Sequence, residues 1–306
     1  MSPTVTLHDG ATDSRSVRRP NEWVAEQAEG GGPFTTRVTW RLPEGHRAVW
    51  TSRAARKRGT IDVVSLSGEV AATSTDRETS RRLRRVNAVA ATAFAIGGSL
   101  FAIGAALAQG GVSPTTCTSV YLVGGAFFST GGYASLLQVI NGPRDIGPEG
   151  ALTTGRWRWW SREPERLEWL SALVLFAGTL VFAVLLVDSF IKGLGAFAEN
   201  RLVWSPDMVG CALFLISGHL AMVEICHGWP CWRRRDLGWW IVAVNQLGSV
   251  LFMVSAIASF VRPSTGDELA VGIANWGTLT GALCFAVGGV LQEFERPSPG
   301  PAPLGS

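Results

Sequence analysis

The sequence predicts an all-α membrane protein whose six transmembrane helices form three tandem hairpins of parallel topology, preceded by a small N-terminal cytoplasmic segment with a β-hairpin. Three observations predict this fold class. Of the 306 residues, 47% are hydrophobic and only 17% are charged, whereas about a quarter of an average soluble chain is charged. Six apolar stretches of membrane length follow Arg85, and a glycine–phenylalanine motif recurs within them.

The N-terminal part of the chain is polar. Residues 1–33 mix Thr, Ser, Gly, Glu and Arg without periodicity and contain no apolar core of a signal peptide, so we expect a mostly disordered cytoplasmic tail. Residues 34–80 are expected to form a small basic cytoplasmic segment. A β-hairpin is predicted there by alternating apolar residues on either side of a Pro-Glu-Gly turn, namely Val38, Trp40, Leu42, Ala48 and Trp50. A further short strand is expected around 61–66.

Two basic clusters flank this segment. They are Arg53, Arg56, Lys57 and Arg58, followed by the arginines within 81–85. Basic clusters can bind nucleic acid, but no nucleic-acid-binding fold accompanies these. Attraction to an anionic membrane surface is the favoured interpretation, and no nucleic-acid partner is expected.

The apolar stretches are each long enough to cross a hydrocarbon core of about 30 Å. They are 87–108, 118–140, 167–191, 205–226, 238–261 and 269–292. With their flanking residues they define a first hairpin at 81–142, a second at 156–228 and a third at 233–295. Residues 296–306 are expected to be a disordered tail.

The basic residues near the ends of the spans predict the orientation. Thirteen arginines lie on the side that holds the N-terminal segment, against Lys192, Arg201 and Arg262 on the other. Loops rich in Lys and Arg stay in the cytoplasm. The chain is therefore expected in the inner (plasma) membrane with both termini cytoplasmic.

A motif repeats in the even-numbered spans with the pattern Gly-x-x-x-Phe-x-x-(Gly/Ser)-Gly. Its members are Gly124, Phe128 and Gly132; Gly210, Phe214 and Gly218; and Gly281, Phe285 and Gly289. Six residues after each last glycine come Gln138, Glu224 and Glu295. The odd-numbered spans share a shorter pattern, carried by Gly97 and Phe101, Gly178 and Phe182, and Gly248 and Phe252. Three copies in the same alternation predict an internal repeat.

Helix packing is the favoured role of this motif. Residues four apart lie on one helix face, so each glycine forms a notch beside a phenylalanine that can fill the notch of a neighbouring helix. Close approach at small residues is what holds membrane helices together. The alternative is that the glycines line a narrow substrate path.

Basic residues before the first span, a Gly-(small)-x-x-Phe segment, a short outer loop and the Gly-x-x-x-Phe-x-x-Gly segment together resemble the two-helix YrhK-like membrane domain. The resemblance covers 81–295 if all three hairpins are copies. It implies a hairpin fold of uncharacterised function and brings no catalytic residues. The second hairpin departs most from the pattern, since Ser217 replaces a glycine.

Polar residues deep inside spans are functional candidates, because placing them in a membrane is costly. The candidates are His219, Glu224, Asn245 and Asn275. Glu224 and His227 lie three apart, as Glu-x-x-His metal ligands do, but His219 lies on another face. Cys226 and Cys231 have neither the spacing of a redox nor of a zinc motif, and a disulfide is not expected on the cytoplasmic side.

The sequence leaves three functional hypotheses open. The leading one is a non-enzymatic membrane protein of unassigned role that acts through helix packing and through contacts with lipid, a protein partner or further copies of itself. The second is a small transporter or channel, with a path gated by Phe128, Phe214 and Phe285 and lined by His219 and Asn245. The third is a metal or redox protein. The leading hypothesis has no catalytic residue, cofactor or metal.

Overall fold

The computed structural model describes residues 5–6, 17–147, 150–228 and 230–295. The N-terminal part contains strands β1 Val5–Thr6, β2 Val24–Glu29, β3 Arg37–Arg41 and β4 Arg47–Thr51, helix α1 Ser52–Arg58, and strands β5 Thr60–Val64 and β6 Val70–Ser74. The rest contains α2 Arg77–Gln109, α3 Pro114–Ile140, β7 Asp145–Ile146, β8 Leu152–Thr153, α4 Leu167–Asp188, α5 Ala196–Glu199, a π-helical turn Asn200–Trp204, α6 Ser205–Cys226, α7 Leu237–Ala258 and α8 Val271–Phe294.

Six helices are long and apolar enough to cross a membrane, which confirms the predicted fold class. They are α2, α3, α4, α6 with the turns before it, α7 and α8. Each keeps large apolar side chains exposed on its outer face, among them Ile103, Val123, Val184, Ile216, Val254 and Val287. Such a surface suits lipid rather than water. Helix α2 begins ten residues before its predicted span, because Asp76 caps it by accepting a hydrogen bond from the Thr79 amide.

The N-terminal strands form one antiparallel sheet in the order of the chain, β1 to β6. The predicted hairpin is β3–β4, in which Trp40 pairs with Ala48 across the strands. Its inward side chains Val38, Trp40, Ala48 and Trp50 are buried, as the alternation predicts. The strand expected at 61–66 is β5, which begins at Thr60.

The prediction that residues 1–33 are mostly disordered is wrong for the part that the structure describes, since β2 pairs with β3 from Val24 to Glu29 with one irregularity between Ala25 and Gln27. The sequence of β2 is polar, but its Glu26 is accommodated in the sheet by ion pairs with Arg41 and Arg47. Trp23, just before β2, is buried in the core of the sheet. The predicted tail at 296–306 lies outside the described residues.

The sheet packs against one end of the helices. The short β7–β8 hairpin, which connects α3 to α4, contributes Ile146 and Leu152 to the hydrophobic core of the sheet. Helix α1 contacts both α2 and α6. We call this the sheet end of the bundle, and the opposite end, where α2 joins α3, the loop end.

The six helices form a closed ring. Each contacts its two neighbours in the order α2, α3, α4, α6, α7 and α8, and α8 returns to α2. The phenylalanines of the repeated motif meet inside this ring in one buried cluster. We call the residues Phe101, Phe128, Phe182, Phe214, Phe252 and Phe285 the phenylalanine cluster.

Within each hairpin, the phenylalanine of one helix packs against the glycine of the other, in both directions. The six pairs are Gly97 with Phe128, Gly124 with Phe101, Gly178 with Phe214, Gly210 with Phe182, Gly248 with Phe285, and Gly281 with Phe252. A Cβ atom at any of these glycines would lie between 2.4 and 3.1 Å from an atom of the paired ring. The notch therefore admits the ring only because the side chain is absent.

The last glycine of each motif faces the next hairpin. Gly132 lies against Phe176 and Thr179 of α4, and Gly218 lies against Gln246 of α7. Gly289 closes the ring, since a Cβ atom there would lie 2.6 Å from the backbone nitrogen of Ala95 in α2. These glycines set the spacing between hairpins.

We predict that Gly289→Ala destabilises the ring by about 1–3 kcal/mol, because the new methyl group meets backbone that cannot rotate away. The thermal midpoint of the purified protein in detergent measures this. Gly272→Ala is the matched control, since a Cβ atom at Gly272, on the same helix, meets nothing within 4 Å. Equal midpoints for the two variants would contradict the proposed closure at Gly289.

Candidate functional site: a charge junction at the sheet end

Helix α1 directs three cationic side chains into the sheet end of the ring. Thr51 caps its start by accepting a hydrogen bond from the Ala54 amide, and Gly59, with φ of +68°, ends it. Arg53, Arg56 and Lys57 are spaced three and four residues apart and therefore lie toward one side of this short helix. We call these three residues, with Gln138, Glu224 and Glu295, the charge junction.

Arg53 binds the carboxylate of Glu295 through two hydrogen bonds. Arg53 Nε donates to Oε1 at 2.8 Å and Nη2 donates to Oε2 at 2.6 Å. This fork geometry is the strongest form of an arginine–carboxylate pair. The Glu295 side chain is only 3% exposed, so the pair is shielded from water.

Arg56 binds Glu224 in the same environment. Arg56 Nη2 donates to Glu224 Oε2 at 2.6 Å, and the Ser52 hydroxyl donates to Oε1 at 2.7 Å. The Glu224 side chain is 1% exposed. Both carboxylate oxygens therefore have partners from α1, which links the sheet domain to the end of α6.

Lys57 reaches the first hairpin. Its Nζ donates to Asn87 Oδ1 at 2.9 Å, and Asn87 Nδ2 in turn donates to the backbone carbonyl of Gln292 at 2.9 Å. The amide nitrogens of Gln138 and Gln292 lie 3.4 Å from the same Asn87 oxygen. The lysine thus meets neutral amides where the two arginines meet carboxylates.

Burial and neighbouring charge oppose each other at the junction. Burial raises the pKa of Glu295, but the charge of Arg53 and its hydrogen bonds outweigh burial and leave that pKa below its usual range. For Lys57, burial is the largest influence and the charge of Arg56 adds to it, so the pKa lies well below the usual lysine value. Glu295 is therefore held charged, whereas the charge on Lys57 is costly.

Two cavities lie inside the ring, on either side of the phenylalanine cluster. The first, of about 120 Å³, is lined by the three cations of α1 and by polar residues including Ser171, Ser217, Asn245 and Ser249. The second, of about 250 Å³, lies toward the loop end and is lined by Asn275, Glu199, Asp207 and Glu268 among others. We call them the sheet-end cavity and the loop-end cavity.

A small gap separates the cavities. It measures about 10 Å³ and is lined by five members of the phenylalanine cluster with Gly125 and Thr179. Phe214 also lines the sheet-end cavity, and Phe101 and Phe182 also line the loop-end cavity. A gap of this size is close to the minimum for a single water molecule, so it does not admit an ion between the two cavities.

The structure does not bring the four predicted polar candidates together. His219 lies on the exposed face of α6, outside the ring, which contradicts its expected place beside Asn245 in a central path. Asn245 and Asn275 line different cavities. Glu224 belongs to the charge junction. Sequence reasoning singled out the repeated position of Gln138, Glu224 and Glu295, but it placed the α1 cations on the membrane surface.

The ligand set of the metal hypothesis does not converge. Glu224 is bound by Arg56 and Ser52, and Cys226 is bonded to Cys231. Within the described residues, no group of three or more His, Cys, Asp and Glu side chains is placed to hold a metal ion.

The Cys226–Cys231 disulfide overturns the expectation that these two cysteines form no disulfide. Helix α6 ends in a left-handed turn at His227, with φ of +54°, and Gly228, with φ of +110°, continues the reversal. The turn brings the two Cα atoms to 5.4 Å, within the usual range for a disulfide. The sequence spacing of the two cysteines does not reveal that the chain folds back between them.

The same turn makes a second contact with the sheet. His227 Nδ1 lies 2.9 Å from Thr36 Oγ1, and Thr36 is fully buried. Burial, with the charges of Arg233 and Arg37, lowers the pKa of His227 to about 4, against a smaller opposing effect of nearby carboxylates. The imidazole is therefore neutral at pH 7.

An arginine-rich pocket of about 510 Å³ lies beside the β7–β8 hairpin. The arginines that line it are Arg18, Arg144, Arg156, Arg158, Arg162 and Arg166, with Asp145, Glu163 and Glu165 among its acidic residues. Glu163 forms ion pairs with Arg144 and Arg166, both at 2.6 Å. The neighbouring Trp159 and Trp160 are exposed. Cationic and aromatic side chains together suit the headgroup region of a membrane.

We predict that the stability of the protein falls as the pH is lowered from about 6.5 toward 4. The unfolded chain binds a proton at His227 near pH 6.5, whereas the folded chain resists it down to about pH 4, so acid favours unfolding in this window. Thermal midpoints between pH 7 and 5 measure the slope. His227→Asn, which tolerates the left-handed turn, should flatten it, whereas the exposed His219→Gln should not. If the thermal midpoint of His227→Asn depends on pH as steeply as that of the wild type, His227 is not the source of the pH dependence.

Comparisons with family models, with curated proteins and with solved structures find no match to this chain.

Proposed function

We propose that this chain is a non-enzymatic, multi-pass inner-membrane protein whose helix ring encloses a gated path for a small solute or ion. The observation that carries the proposal is a pair of cavities with polar residues in their walls, which meet the phenylalanine cluster from opposite sides and are each lined by some of its rings. Helix packing alone requires the cluster but gives no reason for cavities with polar side chains in their walls on both sides of it.

The phenylalanine cluster acts as the gate of this path. Phe128 connects much of the cluster, since its ring lies within 6.4 Å of the rings of Phe101, Phe214 and Phe285. Hydrophobic constrictions close channels by excluding water, and they open when they widen or become polar. In this account α1 restrains the gate from the sheet end, because it ties α6 and the end of α8 to the sheet domain.

We further propose that the three hairpins are copies of one YrhK-like unit. The proposal is supported by the reciprocal glycine–phenylalanine packing, which is the same in all three hairpins. It is also supported by the charge junction, where the repeated positions of Gln138, Glu224 and Glu295 all meet α1 or its partner Asn87. Parallel repeats around a central axis place equivalent residues in this way.

We place the sheet end in the cytoplasm, because thirteen basic residues flank the helices on that side. The Cys226–Cys231 bond argues for the opposite orientation, since disulfides are rare in the cytosol. We give the basic residues more weight because they flank every hairpin. Labelling of an Arg47→Cys variant by a membrane-impermeant maleimide distinguishes the two orientations, since only a sheet end outside the cell reacts in intact cells.

A second candidate function is contact with lipid or a protein partner through the arginine-rich pocket, including contact with further copies of this chain. Its support is the cluster of arginines beside the exposed Trp159 and Trp160. A nucleic-acid partner is not proposed, because Arg56 and Lys57, which form part of the basic cluster that suggested one, are buried under the sheet.

We predict that Phe128→Ser opens the path. A hydroxyl in the lining of the gap and the space left by the ring let water enter, so ion flux through liposomes that contain the variant should exceed that of the wild type at least tenfold. Phe294→Ser is the matched control, since Phe294 lies exposed at the end of α8. Efflux of chloride and of potassium is measured in parallel.

Two outcomes decide the proposal. Flux in Phe128→Ser and also in Phe285→Ser, with no change in Phe294→Ser, supports a gated path. Folded Phe128→Ser and Phe285→Ser proteins that conduct no more than empty liposomes would contradict it, and the contact function would then take precedence. The thermal midpoint establishes that each variant is folded.

A further inference from the structure

The charge junction contains one more cation than its pattern can neutralise. Three ion pairs surround the sheet-end cavity: Arg53 with Glu295, Arg56 with Glu224, and Arg166 with Glu168. Lys57 is the remaining cation. In the part of the chain that the structure describes, its Nζ has one hydrogen-bond partner, the neutral Asn87.

The repeat explains where the missing negative charge would lie. The third hairpin gives Glu295 to Arg53, and the second gives Glu224 to Arg56. The first hairpin has Gln138 at the corresponding position, and Gln138 shares the acceptor Asn87 Oδ1 with Lys57. A third carboxylate is therefore replaced by an amide beside the only junction cation that lacks one.

Two of the junction cations have donors without partners. Arg56 is only 9% exposed, and its buried Nε has no hydrogen-bond partner among the described residues. Lys57 has three N–H donors and uses one. Leaving such donors unpaired in a buried site is costly.

The sheet-end cavity lies next to these donors. Arg53, Arg56 and Lys57 all line it, and the hydroxyl and amide groups of Ser249 and Asn245 complete a polar wall. Its volume of about 120 Å³ holds an ion of a few heavy atoms but not a bulky organic anion.

We propose that the sheet-end cavity binds a small monovalent anion, either a halide or a small carboxylate, that takes the place of the third carboxylate beside Lys57 and Arg56. The anion neutralises Lys57 and accepts hydrogen bonds from the unpaired donors. This inference goes beyond the proposed path, because binding requires no conduction through the ring.

Thermal midpoints of the purified full-length protein test the proposal. The protein is titrated with sodium chloride or sodium formate, each replacing sodium gluconate at constant ionic strength. Because the anion binds the folded protein, the wild-type midpoint should rise with either small anion and then saturate. The chloride and formate series show which of the two shapes the cavity prefers.

Two variants locate the site. Lys57→Met removes the uncompensated charge and should abolish the dependence on the anion. Gln138→Glu supplies the third carboxylate from within the chain, so it should also abolish the dependence while raising the midpoint in gluconate. Lys192→Met, which removes the only other lysine, is the control and should respond like the wild type.

The proposal fails if the wild-type midpoint is the same in chloride, formate and gluconate, since Lys57 is then neutral in an unoccupied cavity. It also fails if Gln138→Glu keeps the wild-type response, which would place the anion elsewhere. If Lys57→Met does not fold, Gln138→Glu still decides the question. Ion flux enters none of these readouts, so the failure of one proposal leaves the other intact.

Discussion

The structure depends on the burial of three cations from α1 in the end of a membrane helix ring. A charged group that leaves water must find partners of opposite charge or hydrogen-bond acceptors, because its solvation is lost. Glu224 and Glu295 meet that requirement for Arg56 and Arg53. The two buried carboxylates likewise require the arginines as partners. Without the other part, the sheet domain and the ring would each be left with unpaired charged groups.

This mutual dependence organises the rest of the molecule. The paired carboxylates come from α6 and from the residue after α8, while Lys57 reaches α2, so α1 joins all three hairpins at one point. The glycine–phenylalanine pairs fix the distances within the hairpins and direct the rings to the middle of the bundle. The filled middle divides the interior of the ring into a sheet-end cavity next to α1 and a loop-end cavity, and the proposed path and anion site follow from that arrangement.

Much of this fold is encoded locally and was therefore predictable. Spans follow from runs of apolar residues, the β3–β4 hairpin follows from alternation, and the packing of phenylalanines into glycine notches follows from a motif that recurs three times. The first two signals are local, and the third is visible because the same short motif recurs along the chain. His219 shows the limit of such signals, because the position of a residue within a membrane span does not say whether its side chain faces the ring or the lipid.

The charge junction could be predicted only in part. Its acidic half was visible as a repeated position, but its basic half is separated from Glu295 by 242 residues and is indistinguishable in sequence from a membrane-surface cluster. The strand β2 was missed because its charges pair across the sheet, and the disulfide was missed because a left-handed turn at His227 creates it. In all three cases, contacts with distant residues or unusual backbone geometry decide the outcome.

The coupling between Arg56 and Glu224 tests the central claim most directly. In a double-mutant cycle with Arg56→Met and Glu224→Gln, each single change should lower the free energy of unfolding by about 3–5 kcal/mol, because it leaves a buried charge unpaired. The double variant should lose less than the sum of the two, by about 2 kcal/mol or more. Additive losses would contradict the account, since the sheet domain and the ring would then not depend on this pair.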